Sequence, residues 1–297
     1  MNATALKIIA VICMTLDHLA TYLGAPLFLR YPGRFAAVIF FFCIAESAVK
    51  THDRKQFLLR LYKMSLLMAG LSIILPFALR TWFPKMHVTA LRNNIFTAMV
   101  PCVWLIDILE ERKSDPSKGN RRLRNYLIYQ AAVVPAAILI LVLCQWFPEQ
   151  LLQASAGSML MSEGGIWVTI QIILFYFCRG SKKKLAAGYL TYCAVYTAVW
   201  LPQLPARVFW FVNAHFPNTH DLINNLLGIF GLSVMEGVVP LSESLLRIHF
   251  QCFMVLVLPL LLLYNGERGK GFKRFFYIYY PAHICLLYLI KSFVLTK

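Results

Sequence analysis

The chain has 297 residues, of which 59% are hydrophobic and 14% charged, with a formal net charge of +16. Soluble domains carry about a quarter of their residues as charged side chains, so this composition excludes a water-soluble fold. The apolar residues form continuous runs, not ten-residue alternations, which excludes a β-barrel.

In chain order, runs long enough to cross about 30 Å of hydrocarbon fall at 5–24, 33–50, 59–80, 95–110, 126–147, 164–179, 185–202, 246–264 and 275–294. They predict an all-α, polytopic membrane bundle of about nine or ten transmembrane helices, folded as a single domain over 1–297. The stretch 203–245 is apolar but interrupted by Asp221, Glu236 and several glycines. It is expected to return as a re-entrant or interfacial hairpin, irregular backbone that is tolerated at membrane depth only under protein cover or beside water. If 222–241 crosses alone, the higher count holds.

The positive charge lies between the runs, in "KTHDRKQFLLRLYK", "ERKSDPSKGNRRLRN", "RGSKKK" and "NGERGKGFKR". Such loops are what the positive-inside rule expects of an inner-membrane protein, and anionic lipid attracts them too. No nucleic-acid partner is expected. The first run lacks a basic leader and a small-residue cleavage site, so it is expected to stay in the protein. Eight cysteines scattered through the runs, without a CxxC pair, read as small buried hydrophobes, and neither a disulfide nor a metal site is expected.

Ionisable residues inside spans are costly and tend to face a cavity. In "LKIIAVICMTLDHLATYL", Lys7 and His18 are eleven positions apart, which puts them on one helical stripe about 16 Å apart along the axis. Asp17 points roughly a quarter turn away. Histidine titrates near neutrality, so His18 is a candidate general base, with a nearby carboxylate stabilising the imidazolium. The plainer readings are a snorkelling lysine and a packed structural histidine. In the second run Arg34 and Glu46 again lie on nearly one stripe, and an Asp17–Arg34 ion pair is geometrically open, interfacial anchoring being the alternative for Arg34. Asn93, Asn94 and Thr97 read as hydrogen-bonding glue between helices. Near the C-terminus, three glycines alternate with Arg268, Lys270, Lys273 and Arg274 before a helix. Backbone amides, helix dipole and cations there would converge on an anion, although topology alone also accounts for the charge. Tyr280 and His283 share a face of that helix, with Pro281 expected to kink it.

"LKIIAVICMTLDH", "GRFAAVIFFFCIAESAVKTHDRKQFLLRL", "NNIFT" and "LLLLYNGERGKGFKRFFYIYYPAH" together resemble the TraX family, named for a conjugation protein that acetylates the N-terminus of pilin. That family in turn resembles the membrane acyltransferases that move acetyl groups from acetyl-CoA across the bilayer. Their signature is a basic residue, ten intervening positions and a histidine in the first helix, a spacing that Lys7 and His18 match. The anchors lie at the two ends of the chain, and 203–245 reads as an insertion.

The resemblance implies an acetyl-CoA-dependent acetyltransferase acting on an extracytoplasmic hydroxyl or amine of a glycan, lipid or pilin-like protein. His18 would be base or acyl carrier, with Asp17, Arg34 and His283 in support. Lys7, Arg268, Lys270, Lys273, Arg274 and Tyr280 would hold the donor. The rival reading is a proton- or ion-coupled transporter with Asp17, His18, Arg34 and Glu46 as a relay; a third is a membrane scaffold.

Overall fold

The structure, a computed structural model, describes residues 1–85, 88–91, 93–144, 146–216 and 238–294. Ten α-helices of eight or more residues carry most of the described chain: α1 (Ala3–Leu23), α2 (Arg30–Lys50), α3 (Arg54–Trp82), α4 (Phe96–Ser114), α5 (Pro116–Leu143), α6 (Glu149–Ala156), α7 (Gly165–Phe177), α8 (Lys182–Trp200), α9 (Leu204–His215) and α10 (Lys273–Val294). Before α10, the segments Leu241–Ile248 and Phe250–Leu262 form one bent pair, broken by 67°. No strand occurs among the described residues. The fold is an all-α helical bundle.

Local chemistry sets the helix ends. The Asn2 side chain caps α1 by accepting from the Ala5 amide at 3.0 Å, and Gly24 ends it in the left-handed region at φ 68°. Asp53, Asp115 and Ser181 cap α3, α5 and α8 in the same way, each supplying an acceptor to amides that have none inside the helix. Pro116 occupies the first turn of α5, where its missing N–H costs nothing.

Every expected run contains helix. Four segments, Ala3–Leu23, Leu27–Lys50, Arg54–Trp82 and Pro116–Leu143, are each long and apolar enough to cross a membrane, and the bent pair makes five if it is one span. The chain is a multi-pass membrane protein. Helix α2 is the hub, packed against α1, α4, α7 and Phe250–Val257. Helix α5 is peripheral: 11% of its apolar window is buried, against 39% for α1 and α2. Its outward Leu127, Ile128, Leu139 and Leu143 would be a liability in water and are suited to lipid.

Basic residues gather at one end of the bundle. There Arg54 meets Glu110, Tyr176 bonds Glu110 at 2.7 Å, Arg122 bridges Asp107 and Glu111, and Lys50 reaches the Gly266 carbonyl at 2.8 Å. The glycine-rich loop is stitched to the start of α1 by backbone bonds, Ala3 N to Glu267 O at 2.9 Å and Asn265 N to Met1 O at 3.0 Å. Thr4 Oγ1 adds a bond to the Lys270 carbonyl at 2.6 Å. These bonds bring Lys7, Arg268 and Lys270 to one mouth.

The expected hairpin over 203–245 is only partly in view: α9 is helical, 217–237 lie outside the described residues, and 241 onward leads into the bent pair. A break at mid-depth occurs between α6 and α7. The Gln130 side chain donates to the Gly157 carbonyl at 3.1 Å and accepts from the Met159 amide at 2.9 Å. Gln130 is about 20 Å along α5 from the basic end, halfway through the bundle. Helix α6 therefore descends from the far end, 157–164 run irregularly at that depth, and the 13-residue α7 completes the crossing.

Close approach of α1 and α2 depends on Gly33, where an added Cβ would lie 2.3 Å from Asp17 Cβ. Gly33→Ala is expected to destabilise the protein by ~1–3 kcal/mol through overpacking, read as a lower thermal midpoint in detergent. Gly70→Ala is the control: no atom lies within 4 Å of its added Cβ, and the exchange should leave the midpoint unchanged or raise it.

Candidate active site

Residues spaced by one turn on α1, namely Lys7, Val11, Met14 and His18, face the same way. His18 and His283 are both buried and meet where α1 packs on α10, with His18 Nδ1 2.8 Å from His283 Nε2 and ring planes 7° apart. The other nitrogen of His283, Nδ1, lies 2.7 Å from the Tyr279 carbonyl. A carbonyl only accepts, so His283 Nδ1 carries the proton, and neutral His283 presents a lone pair at Nε2. His18 Nδ1 must then donate to it. That leaves His18 Nε2 with the free lone pair, and the atom available to take a proton is fixed by the network. Tyr22 packs edge-on to His18 at 6.0 Å, and Tyr279 stacks on His283 at 4.9 Å.

The carboxylate expected to support His18 does something else. Asp17 turns toward α2, where it pairs with Arg34 Nη2 and with Arg30 Nε at 3.3 Å. Adjacent helical side chains diverge by about 100°, and Gly33 opens the space into which Asp17 points. Arg34 also donates to Gln251 at 3.1 Å, and both guanidinium groups lie over the Phe250 ring, at 4.8 and 5.0 Å. The Asp17–Arg34 pair is therefore present, and it anchors α1, α2 and the bent segment. The residue that holds the imidazole is His283. Glu46 belongs to neither group; it pairs with Lys50 at 2.8 Å near the basic end.

A cavity of about 500 Å³ runs inward from the basic end. Lys7, Lys50, Arg60, Arg268 and Lys270 surround its mouth, and Met14, Phe96, Tyr279 and Tyr280 close its floor. Of the expected donor-holding residues, Lys7, Arg268, Lys270 and Tyr280 line this cavity, and Arg274 does not; the Lys273 side chain lies outside the described residues. Neither imidazole lines it. The floor at Met14 is one turn, about 6 Å, from His18, and Tyr279 and Tyr280 stand between. The Tyr279 hydroxyl is 2.6 Å from Thr15 Oγ1, whose own proton goes to the Val11 carbonyl at 2.8 Å, so Tyr279 is the donor to Thr15. Tyr280 accepts from the Ile95 amide at 3.1 Å and keeps its own proton.

On the other side of the imidazole pair lies a polar group that the sequence did not reveal as a unit. Tyr22 donates to Asn93 at 2.8 Å, Asn94 bonds the Ser65 carbonyl at 2.9 Å, and Thr97 accepts from the Glu163 amide at 2.9 Å. Asn94 and Thr97 act as the expected glue. Glu163 accepts from the Asn94 amide, yet its side chain is exposed and has no ion-pair partner among the described residues. It sits in the mid-depth break, where Gly164 and Gly165 turn at φ 78° and 53°. In the sequence it falls between two runs and reads as an ordinary loop acid; the glycine pair after it is the one local sign of a bend.

No curated protein and no solved structure matches the chain. The family model described as TraX protein matches residues 2–202 and 229–291, and its break falls inside the stretch read as an insertion. The match runs through the middle of the chain as well as both ends, taking in His18, His283, Glu163 and the glycine-rich basic loop. The chain belongs to the TraX family.

Proposed function

We propose that the protein is an acetyltransferase of the inner membrane that takes acetyl from acetyl-CoA at the basic, cytoplasmic end. The acceptor is a hydroxyl or amine that enters from the far side, on a glycan, lipid or pilin-like chain. The observation that carries this reading is a cavity with a cationic mouth whose floor stops one aromatic layer short of an imidazole with a fixed, unprotonated Nε2.

Cations at the mouth suit the donor's phosphates, and the apolar throat suits its arm. For transfer, Tyr279 swings away from Thr15 and the thioester carbonyl passes the floor toward His18. His18 Nε2 takes the proton from the acceptor O–H or N–H as the acceptor attacks the carbonyl carbon. The C–S bond breaks, and the imidazolium returns the proton to the departing thiolate. Throughout, His18 Nδ1–H keeps donating to His283, whose lone pair stabilises the imidazolium. The spare proton of Tyr280 is available to the developing oxyanion. Asn93, Tyr22 and Glu163 lie on the side where an acceptor would be held.

Division of the polar residues counts against a transporter relay. Glu46 is closed in an ion pair about 18 Å along α2 from Arg34, so the four groups do not form one path.

Purified protein in nanodiscs is expected to cleave acetyl-CoA slowly, and envelope fractions from cells with the protein should carry acetyl groups, read by mass spectrometry, that are missing without it. His18→Ala should lower cleavage by about 10²–10⁴-fold. His283→Ala should lower kcat by about tenfold or more with KM for acetyl-CoA unchanged. Proton flux in liposomes without thioester cleavage would overturn the reading. Tyr279→Phe, which removes the bond to Thr15 and keeps the ring, should raise acceptor-independent cleavage of acetyl-CoA in the same assay.

A further inference from the structure

A second cavity of about 420 Å³ lies beside the first at the basic end, between α2, the α7–α8 turn and the segment after Leu261. The two share a wall of Phe42, Glu46, Lys50 and Tyr264. Lys50 stands in that wall, bonded to Glu46 at 2.8 Å, the Tyr264 hydroxyl at 3.1 Å and the Gly266 carbonyl at 2.8 Å.

Arg179, Ser181 and Lys182 line the far side of the second cavity. Arg179 Nη1 has no hydrogen-bond partner among the described residues, and the guanidinium rests over the Tyr176 ring at 5.2 Å. Arg179 is only partly buried as a residue, and its place in the cavity wall sets its positive charge beside the space. Nearby Glu110 is occupied by Arg54, Lys113 and Tyr176. The 19-residue α8 begins at the same wall, capped by Ser181, and its first amides have no acceptor within the helix. Its dipole adds positive potential there. Among the described residues Glu46 is the one carboxylate that lines the cavity, and it is paired with Lys50.

The basic end therefore offers two cation clusters, Arg268 with Lys270 and Arg179 with Lys182, and Lys50 stands between them. The donor of the proposed reaction has the matching form: a diphosphate and, beyond a ribose, a separate phosphomonoester. We propose that the second cavity is the 3′-phosphate subsite of the acyl donor, read by Arg179, Lys182 and the start of α8. The diphosphate lies at Arg268 and Lys270, and the arm enters the first cavity. This inference rests on the acyl-donor reading above and assigns its nucleotide end.

Equilibrium binding of CoA and 3′-dephospho-CoA to the full chain tests it without requiring turnover. The wild-type protein should bind CoA about tenfold more tightly, and Arg179→Ala should remove that preference by weakening CoA alone. Arg179→Lys should restore part of it, and an unchanged thermal midpoint should exclude misfolding. Arg268→Ala should weaken both ligands equally. Equal binding of the two ligands by the wild-type protein, equal weakening by Arg179→Ala, or no binding at all would overturn the assignment. Selective CoA binding without thioester cleavage would instead remove the transferase reading and leave the subsite standing. The same measurement in nanodiscs of phosphatidylcholine, with and without phosphatidylglycerol, separates a nucleotide phosphate from a lipid one. Insensitivity to phosphatidylglycerol is expected, and displacement of CoA by that lipid would identify a headgroup site and contradict the proposal.

Discussion

The hydrogen bond from His18 Nδ1 to His283 Nε2, 2.8 Å long, is the interaction on which the site depends. It joins residues 265 positions apart and decides which nitrogen of His18 is basic. The decision is made one step further away, by the Tyr279 carbonyl that accepts from His283 Nδ1. A backbone carbonyl cannot reverse its role, so the chain of donors has one direction among neutral forms. In the proposed reaction the second imidazole would do the work that a carboxylate performs beside many catalytic bases. It orients the ring and accepts the N–H that strengthens when the base is charged. A neutral partner suits a site deep in a bundle, where an additional unpaired carboxylate would be costly to bury.

Asp17 shows the same economy applied to a charge. Its carboxylate is divided between Arg30 and Arg34, and Arg34 continues to Gln251. Removing either arginine would leave the buried Asp17 carboxylate with less compensation, and an under-compensated buried charge is more damaging than the pair is stabilising. The ion-pair cluster thus holds α1 against α2 at the place where Gly33 lets them touch, and holds His18 at its depth without contacting the imidazole. Around this core the bundle is asymmetric. One end presents cations and cavities, the Tyr22 hydroxyl, Asn93 and the Glu163 carboxylate lie beyond the imidazoles, and the two aromatic rings of Tyr279 and Tyr280 separate the first cavity from the imidazoles. In the proposed reaction that layer would hold the thioester back until the acceptor is in place.

Much of the architecture was legible from hydropathy, because lipid forces backbone groups to be satisfied within each helix. Every run read from the sequence contains helix, with boundaries such as 5–24 against Ala3–Leu23 and 275–294 against Lys273–Val294. The stripe from Lys7 to His18 was legible for the same reason, since periodicity fixes the face of a helix. Partners were not. Nothing local in α1 indicates that His18 meets His283 while Asp17 turns to Arg30 and Arg34; that depends on which helices pack and how closely. The mid-depth break after α6 escaped because a short apolar run with a polar loop reads the same whether the loop is outside or folded inward. Arg179 reads likewise as one more topological charge in "RGSKKK".

The account requires an acyl group from the basic end to reach His18. The most direct measurement is a structure of the protein with an unreactive thioether analogue of acetyl-CoA bound. The account predicts that the analogue fills the cavity bounded by Lys7 and Met14, that Tyr279 has left Thr15, and that the carbonyl carbon lies within about 4 Å of an acceptor position beside His18 Nε2. An analogue bound elsewhere, or one that ends below an unmoved Tyr279 with no route to the imidazole, would contradict it.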